Sequence, residues 1–233
     1  MAKAKVVEWR SKRYKEAAKK AVETPVAVDK AIDIVKGFNP TKFDQSVELI
    51  FSLGIDAKQA DQMIRGSLSL PHGVGKTKRV VAFCPDHLAP VATAAGAIRA
   101  GGQELVAAIE KENFTDFDVA VATPDMMRFV GRLGKVLGPK GLMPSPKAGT
   151  VTPDVAAAVR EYAAGKIEYR NDSGGNVHTV VGKVSFDNTK LSDNINAMIS
   201  QIRRAKPQTS KGQYFKKVIL KATMTPAVEL VVA

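Results

Sequence analysis

Arg79-Val80-Val81-Ala82-Phe83-Cys84 is the stretch that decides the fold, because a short apolar run of this kind is typical of a buried strand. A second apolar run, Phe117 to Ala122, follows it. Alanine-rich helical stretches lie between and after the two runs, at about Leu88–Ala100, Glu104–Glu112 and Pro124–Leu137. Strands that alternate with helices indicate parallel β-α-β units with both faces covered. The middle of the chain therefore predicts a three-layer α/β domain.

The two flanks of the chain show a different pattern. Apolar residues at 28, 31, 32 and 35 recur at helical spacing, and those at 47, 49, 51 and 53 alternate as in a strand. Further strands are predicted at Ile167–Arg170, Val177–Phe186 and near Tyr214–Ala222, with a helix at about Leu191–Ala205. The flanks thus predict an α+β layer, with helices on one side of a mainly antiparallel sheet.

Charge is distributed unevenly along the 233 residues, whose net formal charge is +12. Residues 71–159 hold 10 basic and 8 acidic side chains, whereas the flanks hold the other 25 basic and 15 acidic ones. This contrast predicts a discontinuous domain of residues 1–67 plus 158–233, with a second domain of residues 68–157 inserted in it. The chain would cross between them near Ser67–Pro71 and Thr150–Asp154. Basic helices that are merely solvated at both ends remain the alternative, because net charge reports on partners rather than fold.

Composition narrows the class of protein. Hydrophobic residues make up 45% and charged residues 25%, the balance of a folded soluble protein. A single cysteine, Cys84, excludes an internal disulfide and fits a cytoplasmic location. No apolar run approaches the ~18 residues that span a bilayer, and the basic stretch up to Lys20 lacks the apolar segment of a secretory signal. The excess positive charge predicts a polyphosphate partner such as nucleic acid.

The strongest indication of an enzyme is Gly73-Val74-Gly75-Lys76-Thr77, which resembles the end of a phosphate-binding P-loop. The P-loop motif also requires a glycine where Leu70 stands, and it follows a strand, whereas this segment precedes one. A basic turn that enters a strand is the simpler interpretation, and a nucleotide-binding enzyme, P-loop-like or dinucleotide-dependent, is the alternative. Cys84, His87, His72 and His178 do not supply a recognisable metal site, so no metal and no cofactor are expected.

Residues 131–149 form the most unusual segment, with five glycines, three prolines, four basic residues and no acidic one. Glycine lets a backbone approach a ligand closely, proline stiffens the chain, and the basic side chains attract phosphate. One interpretation is a fixed basic loop that contacts RNA or tRNA through Arg132, Lys135, Lys140 and Lys147. The other is a helix end followed by a long structural loop.

Several motifs together resemble those of the bacterial ribosomal protein L-one family (uL1 type), which belongs to the mobile stalk of the large subunit. The similarity covers nearly the whole chain. The matching segments are Gly54-Ile55-Asp56-Ala57, Asp61-Gln62 with Arg65-Gly66, Leu70-Pro71-His72-Gly73, Tyr169-Arg170-Asn171-Asp172 and residues 131–149.

The resemblance implies a non-enzymatic protein whose discontinuous α+β domain, of split β-α-β type, holds RNA and whose inserted domain is Rossmann-like. It further implies that the protein binds 23S rRNA at the stalk, takes part in release of deacylated tRNA from the exit site, and represses translation of its own operon mRNA. These activities place it on the ribosome in the cytoplasm.

The resemblance also implies which residues contact RNA. Carried over by motif position they are Lys42, Phe43, Ser46, His178, Lys183, Thr223, Met224 and Thr225. The family usually has Thr-Met-Gly where this chain has Thr223-Met224-Thr225, so a side chain at the third position is expected to crowd the RNA backbone.

Overall fold

The computed structural model describes residues 10–22, 24–38, 41–112 and 114–232. The first nine residues of the basic N-terminal stretch lie outside this part. The chain divides into two compact units. The terminal unit comprises the residues up to Ile64, Leu70–Gly75 and the residues from Tyr169 on. The central unit comprises Arg65–Ser69 and Lys76–Glu168.

Both units contain helices and strands. The helices are α1 Lys12–Lys20, α2 Val28–Lys36, α3 Ala89–Ala94, α4 Gln103–Glu112, α5 Met127–Val130, α6 Gly134–Leu137, α7 Val155–Ala163 and α8 Asn188–Arg204. The strands are β1 Ser46–Leu53, β2 Arg65–Leu68, β3 Val80–Phe83, β4 Arg99–Gly101, β5 Val119–Ala122, β6 Ile167–Arg170, β7 Asn176–Lys183, β8 Phe215–Ala222 and β9 Val228–Glu229. Single 3₁₀ turns occupy Asp86–Leu88, Gly131–Leu133 and Pro146–Ala148.

The terminal unit is built on an antiparallel sheet with the strand order β7-β1-β8-β9. Its central strand, β1, alternates strictly between buried and partly exposed side chains, and the buried ones are Val47, Leu49, Phe51 and Leu53. Helices α2 and α8 contact each other and the sheet. The apolar face of α8 consists of Leu191, Ile195, Met198, Ile199 and Ile202, all buried. The predicted strand at residues 47–53 and the predicted helix near Leu191–Ala205 are confirmed.

A bulge interrupts the pairing of β1 with β7. Val47 pairs with Gly182 and Glu48 pairs with Val180, so Val181 is an extra residue on β7. The bulge shifts the alternation of β7 by one residue, because side chains of successive residues point to opposite faces. Val181 and Gly182 are both buried, and Lys183 is returned to the exposed face opposite Ser46. The strand ends at Lys183 rather than at Phe186 as predicted, and Val184 instead donates its N–H to the carbonyl of Gln45.

A buried amide on α8 binds the backbone of the segment Leu70–Gly75. Asn194, on α8, is fully buried and accepts a hydrogen bond from the backbone N–H of His72 at 3.2 Å. Its amide N–H groups donate to the carbonyls of Gly73 at 2.9 Å and Val181 at 2.8 Å. These hydrogen bonds matter for stability, because a buried polar group left without a partner costs about 1–3 kcal/mol of folding free energy. Asn194 therefore joins α8, β7 and this segment.

The central unit is a parallel sheet with the order β4-β3-β5, and Val151 adds a parallel bridge to Ala122. All four residues of β3 are fully buried, because helices cover both faces. Val81 and Phe83 pack with residues of α4 and of 126–137, while Val80 and Ala82 pack with residues of α3 and α7. The predicted parallel strands with both faces covered are confirmed.

Two predictions for the central unit need correction. The helix predicted over Leu88–Ala100 ends at Ala94, since the chain turns at Gly96 with φ 109° and then enters β4. The second crossing was predicted near Thr150–Asp154, with a boundary at residue 158. Helix α7 instead packs on the parallel sheet through Val159 and Tyr162, so the central unit continues to Glu168.

Gly182→Ala tests the bulge. A Cβ at residue 182 would lie 2.9 Å from Leu191 Cδ2, which belongs to the buried face of α8. We expect the free energy of unfolding to fall by about 1–3 kcal/mol, because overpacking a filled core forces neighbours apart. Urea denaturation followed by circular dichroism measures this. Gly131→Ala is the control and should leave stability unchanged or slightly raised, as nothing lies within 4 Å of its added Cβ. Equal stability of the two variants would contradict the bulge packing.

Candidate nucleic-acid interface

One end of the terminal sheet brings together the start of β1 and the ends of β7 and β8, because β1 runs antiparallel to both. Thr223 follows β8, and its backbone N–H donates to the carbonyl of Ser46 at 3.1 Å. The Thr223 hydroxyl accepts from the Ser46 N–H at 3.2 Å. Lys183 Nζ donates to Ser46 Oγ at 3.0 Å. Three of the residues implied by the resemblance therefore form one connected group, which we call the strand-end site together with Lys42, Phe43 and Met224.

Met224 is held by its backbone while its side chain stays accessible. Its N–H donates to Gln45 Oε1 at 2.9 Å, and the residue is 49% exposed. Thr225 points the other way and is only 8% exposed. Its hydroxyl accepts from the Ala222 N–H at 2.9 Å and donates to the Pro226 carbonyl at 3.1 Å. The side chain expected to crowd an RNA backbone is thus directed inward, where it closes the turn after β8.

Lys42 and Phe43 precede β1 rather than lying on it. The strand begins only at Ser46, because the chain first turns at Thr41, whose hydroxyl donates to the carbonyl of Phe43 at 2.8 Å. Phe43 is 53% exposed and Lys42 is exposed as well. An exposed aromatic ring beside a lysine is a suitable surface for a base or a sugar.

His178 is separate from this group. It pairs with Ile50 in the middle of the sheet, five residues before Lys183, which corresponds to about 16 Å along a strand. Its Nε2 lies 3.9 Å from Asp172 Oδ2. The backbone and side-chain N–H groups of Asn176 hold the pKa of Asp172 below its ordinary value. The imidazole is on the exposed face of β7 beside a carboxylate that stays ionised.

Two residues of this region were missed by sequence reasoning. Gln45 is 6% exposed and orients Met224, as described above. The carboxylate of Asp44 accepts hydrogen bonds from the hydroxyl of Ser185 at 2.8 Å and from its N–H at 3.2 Å, which ties the turn after β7 to the start of β1. No sequence signal distinguishes these side chains from ordinary polar residues before a strand. Only the antiparallel pairing explains their positions.

The basic segment of residues 131–149 lies in the central unit and consists largely of short helical turns. Leu133 and Leu137 are fully buried, so the opposite side of these turns faces outward. The four basic residues predicted to contact RNA, Arg132, Lys135, Lys140 and Lys147, are all exposed. Lys140 Nζ donates to Thr115 Oγ1 at 2.5 Å. The segment combines an apolar anchor with an exposed cationic surface.

The described residues do not support the alternative interpretation, a nucleotide-binding enzyme. Gly73 to Thr77 forms a turn before β3, with positive φ at Gly73 and Gly75, so it does not have the strand-to-helix position of a P-loop. Among the described residues, no group of three or more His, Cys, Asp or Glu side chains is placed to hold a metal ion. Burial raises the pKa of the Cys84 thiol, which favours its unreactive protonated form.

Comparison with known proteins identifies the family. Residues 35–226 match the Ribosomal protein L1p/L10e family. The chain belongs to that family. The chain is 50% identical over 222 residues to "Large ribosomal subunit protein uL1" of Thermosipho africanus, covering 94% of this chain and 95% of that protein. The proteins of the same name from Kosmotoga olearia and Mycoplasma capricolum are 49% and 50% identical, over 95% and 94% of this chain and 96% and 97% of their own lengths.

Membership in the L1p/L10e family confirms the resemblance drawn from the motifs and the expectation that the protein is not an enzyme, since this is a family of structural ribosomal proteins. The fold agrees at the level of a mixed α and β structure with several sheets. In the described part of the chain, every helix is too short or too polar to cross a membrane.

Gln45→Leu tests whether Gln45 orients Met224. Loss of the amide oxygen leaves the Met224 N–H without its acceptor, so this peptide should open more readily. We expect its amide hydrogen exchange to accelerate by about tenfold or more, as 1.4 kcal/mol corresponds to a factor of ten. Gln62→Leu is the matched control, because its side-chain oxygen accepts instead from the N–H of Asp56 in a different loop. Unchanged protection of Met224 in Gln45→Leu would contradict the assigned role.

Proposed function

We propose that this chain is a component of the large ribosomal subunit that binds 23S rRNA through the strand-end site. The observation that carries the proposal is the connected group of Ser46, Lys183 and Thr223 where three strands meet, with the exposed Met224 next to it in the chain. Family membership supports it, because the relatives are large-subunit proteins by name. The ribosome in the cytoplasm is the corresponding location.

The chemistry of the strand-end site suits a folded RNA. Lys42 and Lys183 provide charge for phosphate groups, and the hydroxyls of Ser46 and Thr223 reach ribose or phosphate oxygens. Phe43 and Met224 can pack against a sugar or base. Structured RNA is recognised largely through shape, phosphates and 2′-hydroxyls, so a surface fixed by backbone pairing is well suited to it. His178 would make a second contact farther along the same sheet face.

We also propose that the two units bind different RNAs. We assign rRNA binding to the terminal unit as a discontinuous α+β domain, and we interpret the central unit as an inserted Rossmann-like domain. The basic surface of residues 131–149 would meet the deacylated tRNA that leaves the exit site. Repression of the protein's own operon mRNA would use the strand-end site again, if that messenger presents the same RNA shape.

Thr223→Val tests the rRNA site in the full-length protein. The substitution keeps the shape of the side chain but removes the hydroxyl that bonds to the backbone of Ser46 within the strand-end site. We expect the Kd for 23S rRNA to rise by about 5- to 150-fold, equivalent to ~1–3 kcal/mol. A filter-binding titration measures it. Thr209→Val, at an exposed threonine outside the site, should bind normally. If both variants bind like the wild type, Thr223 is not part of the interface.

Arg132→Ala/Lys135→Ala tests the assignment of the central unit. This double variant should retain wild-type affinity for 23S rRNA and lose affinity for deacylated tRNA about tenfold, because only its phosphate contacts to tRNA are removed. Lys111→Ala/Arg160→Ala removes the same charge from exposed positions of the central unit outside the 131–149 segment and serves as control. Binding to both RNAs is measured by electrophoretic mobility shift. A loss of rRNA affinity in the first variant alone would contradict the assignment of rRNA binding to the terminal unit and of tRNA binding to residues 131–149.

A further inference from the structure

A cleft of about 400 Å³ adjoins the strand-end site and extends beyond it to the N-terminal helix. One wall is the turn after β8, with Thr223, Met224 and Thr225. The opposite wall is the beginning of α1 and the residues just before it. Its full lining comprises Arg10, Ser11, Arg13, Tyr14, Lys221, Thr223, Met224, Thr225 and Ala227. The volume falls in the range of sites that hold a small ligand or part of a larger one.

The wall formed by α1 is fixed locally and joined to the strand-end site. Ser11 caps α1, its Oγ accepting from the Tyr14 N–H at 3.3 Å. The guanidinium of Arg10 lies 4.9 Å from the centre of the Tyr14 ring. Arg13 Nη2 donates to the carbonyl of Met224 at 3.3 Å. The Met224 peptide is therefore held from two sides, by Gln45 at its N–H and by Arg13 at its carbonyl.

The charged side chains that line the cleft all carry positive charge. Its lining contains three cationic side chains, Arg10, Arg13 and Lys221, and no carboxylate. Lys221 Nζ lies 3.0 Å from Glu48 Oε2 on the neighbouring strand. The hydroxyls of Ser11, Tyr14 and Thr223 add donors that are suited to phosphate or ribose oxygens. An anionic, hydroxyl-bearing ligand fits this lining better than an apolar or cationic one.

We propose that α1 is the second wall of the RNA site and that the cleft receives a phosphate and sugar of the RNA that is bound at Thr223 and Met224. Arg10 and Arg13 contact the phosphate, since a guanidinium fork matches phosphate oxygens. Arg13 also positions the Met224 peptide. This inference rests on the proposed rRNA function and extends the binding surface to a helix that none of the motifs in the sequence marks.

The test compares two double variants of the full-length protein. Arg10→Ala/Arg13→Ala removes two cations from the cleft, while Lys19→Ala/Lys20→Ala removes two from exposed positions at the other end of α1. Binding to in vitro transcribed bacterial 23S rRNA is titrated at several salt concentrations. We expect the first variant to bind about tenfold or more weakly, with a slope of log K against log salt that is shallower by about 1, because each lost phosphate contact contributes ~0.7–0.9. The control should change Kd less than about twofold.

A second readout does not depend on the folding of a variant. Ultraviolet irradiation of the wild-type complex, followed by mass spectrometry, should yield an RNA cross-link at Tyr14.

Arg13→Lys, which keeps the charge but loses the guanidinium fork, should bind with intermediate affinity. Wild-type affinity and salt slope in Arg10→Ala/Arg13→Ala, while Thr223→Val still weakens binding, would overturn the inference alone. Absence of 23S rRNA binding by the wild type would overturn the proposed function and this inference together.

Discussion

The antiparallel pairing of β1 with β7 and β8 is the constraint on which the rest of the terminal unit depends. It places the start of one strand beside the ends of two others, so residues far apart in sequence become neighbours. Ser46, Lys183 and Thr223 are linked through backbone and side-chain hydrogen bonds of 3.0–3.2 Å. A surface of this kind is rigid because the strand ladder itself fixes it. Rigidity suits recognition of a folded RNA by shape, since little ordering is left to occur on binding.

The bulge at Val181 and the buried amide of Asn194 show how buried residues position the side chains of that surface. If β7 kept its regular alternation through residues 181–183, Lys183 would point toward the helices rather than toward the strand-end site. Asn194 accepts and donates three hydrogen bonds beneath this bulge and includes the Val181 carbonyl among its partners. Packing and function are thus coupled: the same few residues satisfy buried polar groups and set the direction of a proposed RNA contact.

Sequence reasoning succeeded where periodicity was strong and the competing interactions were few. The alternation in β1, the apolar face of α8 and the buried run of β3 each appear directly in the order of residues. It did not find Gln45 or the inward direction of Thr225, because both follow from tertiary hydrogen bonds. The misplaced second crossing has a similar cause. Alanine-rich α7 resembles any amphipathic helix in sequence, and only its contacts with β3 and β5 assign it to the central unit.

The central unit shows why fold class alone would have misled. A parallel sheet with helices on both faces commonly binds nucleotides at the carboxyl ends of its strands, often at a helix N-terminus. Here the carboxylate of Asp86 lies against the start of α4, where a Cβ on Gly102 would be 3.1 Å from its Oδ1. A negative side chain in that position disfavours a bound phosphate. Four exposed cations of this unit, Arg132, Lys135, Lys140 and Lys147, lie on residues 131–149, so the proposed contact with a polyanion does not require the crevice of the sheet.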